Sequence, residues 1–386
     1  MSLVIQVPYV PIGIATGNLS HHDAEIEEVK RVLFPVQDKG CAIGVQIYVG
    51  PNDWNVFPQL NAKFGEMLDH VKQSIGENMW QNSSLHLPFA CRKAAPEFHM
   101  TCDDSVEYMA GLVQIAQQAQ MRQITLHPNT IYYMPFEDYT AADFLQDYQT
   151  EENFRLFEWG AEKKSRYQDF IVNVKLLAQA FPDVEFSYEN MPLPIFGDHT
   201  TDGRQLRVEP NLVTPRSIED FIDLTPPNVK LCFDPGHYLI ARETLNYYAT
   251  HPAEMTKHIQ TLIGSLDPVC ADTIPSVEHA VDIVERIKWV SLQELATNIF
   301  GSLSDVQVQD SVSPIWKPHT HRVGGRLLEE GSTLRPGQGF HQETLQLLKY
   351  LSRTPGLPLK VSFDVAETDY ANRVNQENAL RILDEI

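Results

Sequence analysis
The chain has 386 residues, 43% of them hydrophobic, and a formal net charge of −21 at pH 7. That length holds two domains or one large α/β barrel with a sizeable core. The acidic balance disfavours a nucleic-acid duplex as partner, since such binding needs a basic footprint that releases counterions, and no apolar run approaches the length that spans a bilayer.

The first residues, MSLVIQVPYVPIGIATG, are apolar but lack a basic start and are broken by two prolines, so they do not read as a signal peptide. LVIQVPYV at 3–10 reads as an extra strand or a plug at the amino end of a barrel, and residues 1–40 as an N-terminal extension. Residues 21–34 read as a helix with Ser20 as its cap. IGVQIYV at 43–49 is the first strong strand, followed by a helical pattern over about 58–75. SLHLPF at 84–89 is a short strand ending in His86 and a proline. A helix over about 103–120 leads to QITLHPN, a second strand ending in His-Pro, at His127.

An aromatic loop and a long helix over roughly 151–181 precede the strand Val184–Tyr188, which runs into Glu189-Asn190-Met191-Pro192. Thr214-Pro215-Arg216-Ser217 opens a helix, with Thr as cap and Pro at the first helical position. VKLCF at 229–233 is a buried-type strand stopped by Asp234-Pro235-Gly236-His237, where proline and glycine force a turn. A long helical insertion, 242–286, follows. IKWVSL at 287–292 reads as the sixth strand, a short one near 319–321 as the seventh, and LKVSFDV at 359–365, carrying Asp364, as the last. Alternating strands and helices call for a parallel sheet with helices outside it, and eight such units for a closed (β/α)8 TIM barrel spanning 1–386 as one domain with long loop insertions. Five scattered cysteines with no CxxC pair suit a reducing cytoplasm.

In such a barrel the carboxyl ends of the strands converge on one mouth. His86, His127, Glu189, Asp234, His237, His319, His321 and Asp364 each sit at or just past a predicted strand end. A metal site built this way needs no short motif, because each strand contributes one ligand. Imidazole and carboxylate together suit zinc, manganese or iron. A His before a proline is ordinarily a strand terminator, but two successive strands end the same way. His319-x-His321 places both rings on one side of an extended segment, where the ordinary alternative is a solvated loop. Asp364 interrupts an apolar strand, and a buried carboxylate needs a cation or an arginine. Arg322, Arg326 and Arg335 are positioned in sequence to hold a phosphate or carboxylate; plain surface charge explains them equally well.

The order of these residues resembles the xylose isomerase-like barrel superfamily, which includes sugar-phosphate isomerases and epimerases and endonuclease IV. It rests on His86 and His127 on successive strands, Glu189 followed by Asn190, Asp234-x-x-His237 and the late acid Asp364. An endonuclease IV-type centre, by that resemblance, would use His86, His127 and Glu189 for one metal, Glu189, Asp234 and Asp364 for a second, and His237 with His321 for a third. A single-metal epimerase would use Glu189 and Asp364 as acid and base. Two departures stand out: the family's strand-six His falls on Ser291, with Gln293 and Glu294 nearby as substitutes, and its final Glu is Asp364. His319 also stands where the endonucleases carry an Asp. The expectation is a sugar or sugar-phosphate isomerase or epimerase holding one to three Zn or Mn ions. Its partner would be a small polyhydroxylated or phosphorylated molecule held by Arg322, Arg335 and Gln293, with the 242–286 insertion as a possible contact between copies. The alternatives are a zinc-dependent phosphoesterase and a barrel that binds without turnover.

Overall fold
The computed structural model describes residues 3–10, 19–49, 60–87, 103–128, 130–133, 160–191, 195–199, 205–209, 212–254, 276–308, 341–355, 359–365 and 373–386. The described residues form eleven strands: β1 (Leu3–Tyr9), β2 (Ala42–Tyr48), β3 (Ser84–His86), β4 (Gln123–Leu126), β5 (Thr130–Tyr133), β6 (Glu185–Glu189), β7 (Ile195–His199), β8 (Gln205–Glu209), β9 (Val229–Phe233), β10 (Leu303–Gln307) and β11 (Leu359–Ser362). Eight of them close a barrel in the order β1-β11-β10-β9-β6-β4-β3-β2, all paired in parallel. β5, β8 and β7 form a separate antiparallel sheet from the loops that follow β4 and β6. No helix among the described residues is long and apolar enough to cross a membrane.

The barrel was legible as a class, but two of its strands differ from the sequence reading. Residues 3–9 are no extension: β1 is a central barrel strand, buried along its whole length and paired with both β2 and β11. Its Pro8 counts against a central strand in sequence, yet it sits near the strand's end and its carbonyl accepts a bond from buried Arg373 at 2.7 Å. The second difference is at 287–292. Val290 gives its N–H to the Tyr238 hydroxyl (3.1 Å) and takes that hydroxyl's proton on its carbonyl (2.9 Å), so no strand neighbour has a claim on either group. Ser291 caps the helix Leu292–Asn298, and β10, with the sequence LSDVQ, takes the barrel position instead. The strand expected near 319–321 lies outside the described residues.

Helix ends follow local chemistry. Thr214 accepts from the Ser217 N–H in a capping box, with Pro215 in the first turn, as its sequence implies. The first helix runs Leu19–Gln37, so Ser20 lies inside it rather than at its cap. The insertion begins at the strand itself: a helix runs Pro235–Thr250, and its Ala241, Leu245 and Tyr248 pack on Ala280, Ile283 and Val284 of the helix Val277–Arg286. Residues 255–275 lie outside the described ones.

The barrel interior is polar, where branched aliphatic layers usually fill such barrels. Ser84 donates to Gln6 (3.0 Å), Ser362 to Gln46 (2.6 Å), and Gln123 to Ser304 (2.7 Å) and Ser187 (3.3 Å). These side chains are buried, so each bond offsets a desolvation cost that would otherwise go uncompensated. Gly44 leaves room for a close approach on this floor: a Cβ there would lie 2.2 Å from the Asn82 carbonyl oxygen. Gly44→Ala is expected to destabilise the fold by about 1–3 kcal/mol. A denaturant midpoint equal to wild type would show that the β2–β3 approach yields at no cost.

Asp305 belongs to the same interior. It is fully buried, and its Oδ2 has no hydrogen-bond partner among the described residues. Burial pushes its carboxyl up to about 6, against hydrogen bonds from Cys232 and Ser304 that favour the charge. The unfolded carboxyl titrates near 4, so between roughly pH 4 and 6 the folded chain binds more protons and loses stability as pH rises. Asp305→Asn is expected to flatten this slope in chelator-treated protein, read from thermal or urea melts at several pH values. An unchanged slope would place the proton uptake elsewhere.

Candidate metal centre
Five of the sequence-selected residues meet at the carboxyl end of the barrel. His86 ends β3, His127 follows β4, Glu189 ends β6, and Asp234 with His237 forms the turn from β9 into its helix. Glu189 is the hub. The Nε2 atoms of His86 and His127 lie 3.2 and 3.4 Å from its Oε2, and His237 Nδ1 lies 3.2 Å from its Oε1. Burial pushes the Glu189 carboxyl up, but hydrogen bonds from His127, His237 and His86 outweigh it and hold the group well below the usual carboxylate range.

Backbone groups aim the ligands. His86 Nδ1 donates to the Leu87 carbonyl at 3.0 Å, which fixes the ring with Nε2 toward Glu189. A carbonyl on the far nitrogen is how metal-binding histidines are usually oriented. Asn190 clamps β6 to β9: its amide donates to the Asp234 carbonyl (2.9 Å) and accepts from the Asp234 N–H (2.7 Å). Its own carbonyl accepts from His237 Nδ1 at 2.8 Å. Asp234 Oδ1 accepts the His237 N–H at 2.9 Å and so caps the helix Pro235–Thr250.

Two donor groups result, His86–His127–Glu189 and Glu189–Asp234–His237, with donor atoms within 4.8 Å of one another in each. Imidazole and carboxylate are the ligands of zinc and manganese, so the residues fit a divalent ion at each group. Glu189 belongs to both.

Asp364, two residues past β11, joins this centre from the side. It is half-buried, hydrogen-bonds with Tyr48, and is close enough to His86 and Glu189 to feel their charge. Burial pushes its carboxyl up to about 6. Tyr48 ends β2, stacks on the His86 ring at 4.2 Å and 14°, and is held protonated by burial and by Asp364.

Other expected residues do not meet here. Ser291, the cap of the helix Leu292–Asn298, and Gln293 within it are exposed, and Ser291 spends its hydroxyl accepting the Glu294 N–H at 3.2 Å. The reading that Ser291 replaces a strand-end ligand is therefore corrected: the seventh barrel strand ends at Gln307, which reaches Glu189. Gln293 makes no hydrogen bond to the centre among the described residues. His319, His321, Arg322 and Arg335 lie outside the described residues. Sequence reasoning missed Tyr48 and Gln307. Tyr48 carried a usable signal as the polar end of a strong strand; Gln307 did not, because β10 itself went unrecognised.

No family model and no curated protein matches the chain. Among solved structures, the chain is similar to endonuclease IV from Thermus thermophilus, at 11% identity over 99% of each chain with a TM-score of 0.48. It is also similar to an AP endonuclease, family 2, from Brucella melitensis (13% identity, 97% of each chain, TM-score 0.42). A third is an L-ribulose 3-epimerase (10% identity, 99% of this chain and 93% of that one, TM-score 0.43). The closed barrel is established by the chain's own strand pairing.

Proposed function
We propose that the chain is a metal-dependent hydrolase of small phosphoesters, working at the carboxyl mouth of the barrel. The observation that carries this reading is the sharing of Glu189 between two three-residue donor groups. A carboxylate common to two donor groups suits a pair of neighbouring ions, the arrangement used for in-line displacement at phosphorus. Divalent ions held there would supply Lewis acidity toward a phosphoryl oxygen and would make water a better nucleophile.

The chain's own groups supply the rest. His86, His127 and His237 keep Glu189 ionised, and Asn190 holds the β6 and β9 ends in fixed relation. Asp364, with its carboxyl near 6 and Tyr48 as its anchor, is placed to take or give a proton near neutral pH. A net charge of −21 argues for a small substrate rather than a polynucleotide.

The isomerase or epimerase reading draws support from the same Asp364, a carboxylic acid tuned toward neutrality. It also needs Glu189 as the partner base, whereas Glu189 is shared by the two donor groups. The test is metal content per chain after loading with Zn²⁺ or Mn²⁺, followed by a screen of aryl phosphate mono- and diesters beside ketose interconversion. About two ions per chain and phosphoester turnover are expected. One ion with ketose interconversion would transfer the assignment to the isomerase, and no bound ion would defeat both.

A further inference from the structure
β1 and β11 pair in parallel from Leu3 with Leu359 as far as Gln6 with Ser362, and the Phe363 N–H then donates to the Gln6 carbonyl at 2.9 Å. The next bond of a parallel ladder would run from residue 8 to the Phe363 carbonyl, but Pro8 has no N–H to give. The Val365 N–H takes that carbonyl instead, at 2.9 Å, and closes a γ-turn with Asp364 at its apex. In doing so it uses the N–H that the ladder would have sent to the Pro8 carbonyl. One proline thus ends the ladder at the mouth and leaves the carbonyls of Pro8 and Val365 to be bonded from elsewhere.

Both are met from the last part of the chain. Arg373, fully buried, immediately precedes the helix Val374–Ala379. Its Nη1 donates to the Pro8 carbonyl and to Gln376 Oε1, each at 2.7 Å, and its Nη2 to Glu25 Oε1 at 3.0 Å. Gln376, also fully buried, passes the link on, its Nε2 donating to the Val365 carbonyl at 3.5 Å. Glu25 lies on the helix Leu19–Gln37, whose His22 bonds with the Tyr9 hydroxyl at 2.8 Å, so the guanidinium is braced against the end of β1. The Arg373 backbone sits at φ 46°, a left-handed conformation that a residue with a Cβ rarely keeps unless its surroundings fix it.

We propose that Gln376, held by Arg373, is a positioning residue for Asp364: it sets the turn that carries this carboxyl to the mouth beside Tyr48. The proposal rests on the reading that gives Asp364 a part in turnover. Its plain alternative is a buried bridge that only stabilises the fold. The two differ in whether the effect passes through Asp364.

The test is a double-mutant cycle in full-length, metal-loaded protein, with aryl phosphate turnover, ions per chain and thermal melts read for each variant. Gln376→Leu is expected to lower kcat by about 10- to 100-fold, the effect of moving a reacting group by up to about 1 Å, with KM and ions per chain unchanged. Gln376→Glu keeps an acceptor for Arg373 and loses only the donor to Val365. It is expected to lower kcat to a similar extent, and it carries the comparison should the leucine variant fail to fold. In an Asp364→Asn background, either substitution is expected to change kcat by less than about twofold. An equal loss in both backgrounds, or wild-type kcat in the single variants, would overturn the positioning role while leaving the proposed hydrolase standing. Full activity of Asp364→Asn alone would remove Asp364 from turnover and the proposal with it. No turnover by wild type would defeat the hydrolase reading and this proposal together.

Discussion

Glu189→Gln is expected to strip both ions from the centre and to lower turnover by more than the roughly 100-fold typical of losing a group one step removed from a metal. The side chain keeps its shape but loses its charge, and one of its two oxygens becomes a donor. His86 and His127 converge on Oε2 and His237 on Oε1, so no single end of the carboxylate can be spared. The measurement is ions per chain beside activity. A variant that still holds one ion at wild-type affinity would separate the two donor groups and refute the sharing of Glu189. Loss of both ions with a normal circular dichroism spectrum would assign the effect to the centre rather than to the fold.

Asp234 yields the second large effect, and its two jobs come apart by choice of substitution. The side chain belongs to one donor group and also caps the helix Pro235–Thr250 through the His237 N–H. Asparagine is as good a cap as aspartate but a far poorer ligand for a cation. Asp234→Asn is therefore expected to keep wild-type stability in chelator-treated protein while losing the ion of the Glu189–Asp234–His237 group. Asp234→Ala is expected to lose that ion and, in addition, about 1 kcal/mol of stability, within the 0.5–2 kcal/mol range of cap removal. In both, the His86–His127–Glu189 group retains its ion. Equal stability of the two variants would mean that the cap contributes nothing, and unchanged ion counts would remove Asp234 from the centre.

The polar interior makes sense of both predictions. Gln6, Gln46, Gln123, Ser187, Ser304 and Ser362 tie the barrel strands to one another by side-chain bonds below the mouth. A bonded interior holds its groups in single rotamers more firmly than loose packing does, and this fixes where each strand end places its ligand. The same interior hid β10 from the sequence reading. A strand whose Ser304, Asp305 and Gln307 are all buried polar residues has no apolar run to announce it, while IKWV at 287–290 has such a run but spends its backbone on Tyr238. Hydrophobicity is a proxy for burial, and it fails where buried groups are polar and satisfied.

What the sequence by itself determined is the class of the barrel and five of its mouth residues. Alternating strand and helix patterns carry the first, and the repeated placement of His86, His127, Glu189, Asp234 and His237 at strand ends carries the second, because the end of a buried strand is readable from local composition. What only the tertiary structure decided is which strands are neighbours and which atoms face each other. That β1 closes the barrel against β11, that Glu189 is common to two donor groups, and that Gln307 and Tyr48 stand beside it depend on pairings between residues far apart in the chain. Such pairings are set by closure of the whole sheet, which no local window of sequence contains.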